Sequence, residues 1–187
     1  CAHFVAMPGD YPPPAAPFEL EGQKFRRSAV AVVFNPKGEV LLGERVSKRA
    51  AWQFPQGGID LTEDATQAAA RECYEEVGLN EKSGLELVSE LPESASCCYQ
   101  VDGGWLRQEG YSGQILQFVL FYLPVEADPT EVCNLSGLGG EKAEFSAVRW
   151  APMDEAVAGV WEAKAPAYRY LQERAQSIIQ SFLSRDA

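Results

Sequence analysis

The sequence predicts an α/β fold. Two observations carry this: strand-forming stretches alternate with helical ones along the chain, and a Gly57-Gly58 turn runs into an amphipathic helix. Composition agrees. Of 187 residues, 46% are hydrophobic and 23% charged, enough apolar surface for one good core.

Residues 1–24 hold five prolines (8, 12, 13, 14 and 17) and no periodicity. They read as an extended arm or linker that catalysis can dispense with, leaving 25–187 as the domain. Residues 28–34 and 40–45 are β-rich and joined by the turn Asn35-Pro36-Lys37-Gly38. The helix after the Gly-Gly turn takes Thr62 as N-cap, Glu63 and Asp64 in its first turn, and Gly78 as its left-handed stop. Residues 85–91 and 115–125 predict strands, with an irregular or hairpin excursion over 92–113 between them. A Gly-rich loop covers 128–142, a short strand 147–150, and helices 153–158 and 165–183, the last amphipathic. There is no internal repeat.

The helix after Gly58 carries the chemistry. Glu72, Glu75 and Glu76 fall at i, i+3 and i+4 on one arc of its surface, near a C-terminus whose dipole disfavours anions. Stability alone would not select three crowded carboxylates; a hard divalent cation would. Ala65, Ala68 and Ala69 share that arc and leave room for a neighbouring loop, while Thr66, Ala70, Cys73 and Val77 form the stripe expected to pack on the body. Arg71 falls beside Glu75 at i+4 and can fix a carboxylate in place.

These residues resemble a known family. Gly57, five residues, Glu63, seven residues, then Arg71-Glu72-Cys73-Tyr74-Glu75-Glu76-Val77-Gly78-Leu79 is similar to the Nudix box, with Cys73 standing where a bulky aliphatic is usual. Free cysteine behaves as a small hydrophobe, so the departure is conservative. The resemblance implies an αβα sandwich, a mixed sheet between helices with the box on its rim, and metal-assisted pyrophosphate hydrolysis. It implies Mg²⁺ or Mn²⁺ held by Glu72, Glu75, Glu76 and the Gly57 carbonyl. It further implies that Arg71 orients its neighbours, that Glu75, Glu76 or Glu144 takes the proton, and that Glu144 is a further metal ligand or a base.

Trp52-Gln53-Phe54-Pro55-Gln56-Gly57-Gly58-Ile59 resembles one branch of that family, the bacterial RNA 5′ pyrophosphohydrolases and plant-type asymmetric diadenosine tetraphosphate hydrolases. So do Phe25-Arg26, Gly140-Glu141-Lys142-Ala143-Glu144-Phe145 and the stretch from Trp161 to Tyr168, although Ala143 and Ala163 break the pattern. The branch implies substrate contacts at Trp52, Gln53 and Gln56, with Arg26 and Lys164 offsetting phosphate charge. Tyr111, Phe145 and Trp161 are candidate purine stackers, weighed against the ordinary fate of aromatics near strands, which is the core.

Net charge is −11, from 27 acidic and 16 basic residues, which argues against a surface that tracks long nucleic acid and against DNA. Five cysteines without C-x-x-C spacing suggest neither a zinc site nor a disulfide framework, hence a reducing compartment. No apolar run approaches a membrane span. A cytoplasmic setting is expected, or an organellar one, since the chain opens at Cys1 rather than Met. The single histidine, His3, sits in the Pro-rich arm, so acid–base work falls to carboxylates or water. The leading expectation is cleavage of diadenosine tetraphosphate to ATP and AMP. The alternatives are RNA 5′ pyrophosphate removal, hydrolysis of ADP-ribose, nucleotide sugars or guanosine tetraphosphate, and a Nudix-fold module that binds nucleotides without cleaving them.

Overall fold

A computed structural model describes residues 12–185. His3 lies outside them. The strands are β1 (Phe18–Leu20), β2 (Gln23–Phe34), β3 (Val40–Arg45), β4 (Trp52–Gln53), β5 (Gln56–Gly58), β6 (Glu86–Glu90), β7 (Cys98–Gln100), β8 (Gly113–Tyr122) and β9 (Phe145–Ala151). The helices are α1 (Ala65–Val77), α2 (Trp105–Gln108), α3 (Met153–Gly159) and α4 (Ala165–Leu183).

The strands form one mixed sheet whose main path runs β4-β3-β2-β8-β6, with β1 and β5 added to β2, β7 to β8 and β9 to β3. At its centre β2 and β8 pair in parallel from Phe25↔Gly113 to Phe34↔Tyr122. The period of two on β2 sends Ala29, Ala31 and Val33 to one face, against Ala68, Ala69, Cys73 and Val77 of α1. Val30, Val32 and Phe34 face the other way, onto Tyr168, Leu171, Ala175 and Ile179 of α4. Because both faces are covered, residues 29–34 read as an unbroken apolar run rather than an alternating one. This is the expected αβα sandwich.

Three expectations change. First, α1 begins two residues later than Thr62 suggests: Asp64 is the N-cap, its carboxylate accepting from Gln67 N–H at 2.8 Å while Gln67 Oε1 accepts from Asp64 N–H at 3.0 Å. This leaves Glu63 in the loop, free to reach back to the box. Gly78 ends the helix as expected, at φ 77°. Second, Ala65, Ala68 and Ala69 face the sheet rather than a loop, so Glu76 on the same arc is buried; Cys73 and Val77 pack as expected, but Thr66 and Ala70 are only half-buried. Third, the described part of the expected arm lies on the domain: β1 pairs with β2, and Pro14 bridges Asp60. The excursion over 92–113 contains β7 and α2, and the short strand expected at 147–150 is the core of β9.

Candidate active site

The box loop and α1 build one wall of a cleft of ≈ 470 Å³, lined by Gly57, Arg71, Glu72, Glu75, Glu76, Glu144, Arg26 and Gln56 among others. Eight sequence-predicted site residues therefore meet in one place. Gly57 must be glycine here: a methyl group on its Cα would overlap the Glu72 carboxylate. A methyl on Gly58 would overlap the Arg26 guanidinium, which is how Arg26 reaches the cleft from β2.

Arg71 organises the acidic wall. Its Nε and Nη2 donate to the two oxygens of Glu63 at 3.1 and 2.6 Å, and Nη1 donates to Glu72 at 2.6 Å and Glu75 at 3.1 Å. Nη2 also donates to the Gly58 carbonyl at 2.8 Å. Burial pulls the Arg71 pKa down, but Glu63 and Glu72 outweigh it and the guanidinium ends firmly charged. Glu63 is the residue sequence reasoning missed. Its position in the box was the available signal, hidden by placing it in the first turn of the helix.

One guanidinium cannot neutralise this many carboxylates. Burial raises Glu72 to about 7 despite Arg71, with Glu75 and Glu63 adding to the rise. Burial also lifts Glu75, against Arg71, and pushes Glu76 well above the usual carboxylate range, helped by Glu72 and Glu144. Glu76 Oε2 accepts one backbone bond, from Gln56 N–H at 3.0 Å. The Gly57 carbonyl accepts from Ser28 Oγ at 2.8 Å, which fixes it in the loop at the edge of the cleft.

Among the described residues, no three His, Cys, Asp or Glu side chains already converge as a metal cage, and Glu72 and Glu75 are engaged by Arg71. The donor chemistry nonetheless fits a hard divalent cation. The donors are all oxygens, and carboxylates raised by burial and mutual repulsion gain most from an added positive charge.

Glu144 faces the cleft from the start of β9, with Oε2 3.7 Å from Arg45 Nη2. The β3–β9 register shifts between Glu44 and Arg45, and such a bulge re-aims the side chain beside it. Arg45 and Lys142 are further cations at the site that sequence reasoning left without a role.

Trp52, Gln53, Trp161 and Lys164 line an adjoining cavity of ≈ 400 Å³. Lys164 links the two spaces: its Nζ donates to Gln56 Oε1 at 3.1 Å and sits 5.2 Å from the centre of the Tyr99 ring. Burial and Arg45 lower its pKa to about 8, against the pull of Glu76. Trp161 is 54% exposed, with its ring edge-on to Tyr99.

One expected stacker is corrected, and a second lies apart from both spaces. Phe145 is 1% exposed, its ring packed against Gly43 in the core, so it has no face to offer a base. Tyr111 lines neither space and ends the turn after α2, its N–H donating to Leu106 O.

Residues 24–171 match the NUDIX domain model. The chain is 32% identical over 163 residues to an RNA pyrophosphohydrolase from Wolbachia sp. subsp. Drosophila simulans (strain wRi), covering 84% of this chain and 93% of the relative. It is 34% identical over 149 residues to an RNA pyrophosphohydrolase from Brucella ovis, covering 75% and 82%. A Nudix hydrolase from M. smegmatis, RenU, shares the fold with a TM-score of 0.59 at 18% identity, covering 87% of this chain and 94% of that one. An Ap4A hydrolase from C. elegans does so with a TM-score of 0.54 at 19% identity, covering 85% and 98%. Among the described residues no helix is long and apolar enough to cross a membrane. With the box glutamates, their arginine and the family match all falling on one cleft, the chain belongs to the Nudix family and is a hydrolase of pyrophosphate bonds.

Proposed function

We propose that the enzyme removes pyrophosphate from the 5′-triphosphate end of RNA, assisted by Mg²⁺ or Mn²⁺. The observation that carries this is the 32–34% identity, across three quarters or more of the chain, to RNA pyrophosphohydrolases. It moves the reading away from diadenosine tetraphosphate, which the sequence put first. The net charge of −11 does not oppose it, because gripping one chain end needs a local basic pocket rather than a basic stripe. A dinucleoside tetraphosphate remains the second reading, favoured by the Glu141-Lys142-Ala143-Glu144-Phe145 segment, whose first, second and fourth residues line the cleft.

In this account the phosphate chain lies in the glutamate cleft and the first base in the Trp-lined cavity beyond Lys164. Glu72, Glu75, Glu76 and the Gly57 carbonyl would hold the cation. When bound it neutralises phosphate charge and makes water a better nucleophile at neutral pH. Arg71 fixes Glu72 and Glu75, so the carboxylates do not have to be ordered at the moment of reaction. The proton from the attacking water passes to a cleft carboxylate, Glu75, Glu76 or Glu144. Arg26 and Lys164 offset charge on the phosphates. Water attack yields a 5′-monophosphate RNA and pyrophosphate. Incubation with triphosphorylated RNA and identification of both products by mass tests the assignment; no metal-dependent product contradicts it.

Lys164 supplies a pH signature. Its free-enzyme pKa of about 8 means it is cationic below that value and neutral above it. Attraction for polyphosphate is therefore present at pH 7 and lost as pH rises through about 8. Lys164→Ala is expected to lower kcat/KM about tenfold at pH 7 and to abolish that alkaline limb. A limb that persists in the variant would belong to another group.

A further inference from the structure

Residues 12–17 lie outside the stretch that matches the family domain, yet Pro13 and Ala15 hydrogen-bond the catalytic loop. The Pro13 carbonyl accepts from Leu61 N–H at 2.7 Å, and Ala15 N–H donates to the Ile59 carbonyl at 2.9 Å. Between them Pro14 pairs antiparallel with Asp60. A strand uses alternate residues on each edge, so the N–H that Pro14 lacks would have pointed away from the loop. Pro14 therefore costs this ladder no bond, Pro13 leaves only its carbonyl to meet Leu61, and both stiffen the segment before it docks. The Ala16 carbonyl accepts from Arg27 Nε at 3.0 Å, β1 continues the attachment, and Pro12 lines the catalytic cleft beside Arg26 and Asp60.

The loop so gripped is the one on which the acidic wall depends. Its Gly58 carbonyl accepts from Arg71, its Asp60 N–H donates to Glu63 at 3.0 Å, and Glu63 holds Arg71 by both oxygens. Loop 57–61 is thus tied to Arg71 on one side and to residues 13–15 on the other.

We propose that residues 12–15 are a positioning strap for the active site. They hold the box loop in register with Arg71, and Pro12 closes one wall of the cleft. The segment expected to be dispensable is then part of the working site, although it supplies no group to the reaction.

The full chain can be compared with Ala15→Pro, which deletes the Ala15 donor in a backbone already extended, with Ala16→Pro, whose N–H plays no part in that ladder, and with a truncation lacking residues 1–16 that keeps β1. Amide exchange at Leu61 is read without substrate or metal. The Mg²⁺ concentration giving half-maximal turnover is read on triphosphorylated RNA and on diadenosine tetraphosphate, using whichever is cleaved. Ala15→Pro is expected to speed Leu61 exchange about fivefold or more and to raise the Mg²⁺ requirement about threefold. The truncation should exceed both, and Ala16→Pro should match the full chain. Unchanged Leu61 exchange in the truncation overturns the proposal. So does faster exchange at every amide, which would make the segment a structural part of the fold. If neither substrate is turned over, the RNA reading fails while Leu61 exchange still decides the strap.

Discussion

Glu76→Gln is expected to lower turnover by about two orders of magnitude or more while raising the melting temperature of the metal-free protein. The opposed signs share one cause. Glu76 is 6% exposed, on the arc of α1 that faces the sheet, and the Gln56 N–H and the more distant Arg45 offset its charge only in part. Burial, Glu72 and Glu144 raise its pKa well above the usual carboxylate range. A folded-state pKa above the unfolded one means the folded protein binds the proton more tightly. That stability is complete below the ordinary carboxylate value and is lost as pH rises through the raised one. Glutamine keeps the shape and never ionises. The variant's thermal advantage should therefore be small at pH 4 and grow as pH rises above the ordinary carboxylate range, and saturating Mg²⁺ should shrink it by stabilising only the carboxylate form. A variant less stable than the parent at pH 8 would show that the carboxylate is well compensated without metal.

Arg71→Ala is expected to cost about 10² in kcat/KM and, unlike the Glu76 change, to destabilise. All three guanidinium nitrogens are engaged, with Glu63, Glu72, Glu75 and the Gly58 carbonyl. Removing them leaves three acidic groups facing one another across the box loop. Breaking a fully buried ion pair costs about 3–5 kcal/mol; with Arg71 31% exposed, roughly 2 kcal/mol is the better expectation. Arg71→Lys should recover little, because a single ammonium cannot fork onto Glu63 while also meeting Glu72. Mg²⁺ should restore part of the lost stability by supplying positive charge to the same carboxylates. Denaturant unfolding with and without Mg²⁺ checks both points; an Arg71→Lys variant with parental activity would refute the forked arrangement.

Local chemistry made the centre of the site legible in the sequence. Three glutamates at helical spacing, a Gly-Gly turn and an arginine one turn from Glu75 are statements about neighbours along the chain, and the structure keeps them together. Capping competition was harder to read. Thr62, Glu63 and Asp64 all suit a helix start, and the choice of Asp64 rests on the reciprocal bond with Gln67 and on Glu63 being drawn to Arg71. Long-range placement was not readable. Phe145 and Trp161 are both aromatics near strand or helix ends, yet one fills the core under Gly43 and the other stands open at the adjoining cavity. Arg45 depends on a bulge, a property of two paired strands rather than of either alone. Residues 12–16 show no periodicity in sequence because Pro13 and Ala15 dock by backbone groups, which every residue type carries.

The most direct test is kcat/KM for 5′-triphosphorylated RNA and diadenosine tetraphosphate measured side by side, with Mg²⁺, products identified by mass and Glu76→Gln as control. The account predicts 5′-monophosphate RNA and pyrophosphate from the parent, at least about tenfold preference for the RNA, and loss of both products in the variant. A higher kcat/KM on the dinucleotide, yielding ATP and AMP, would contradict it.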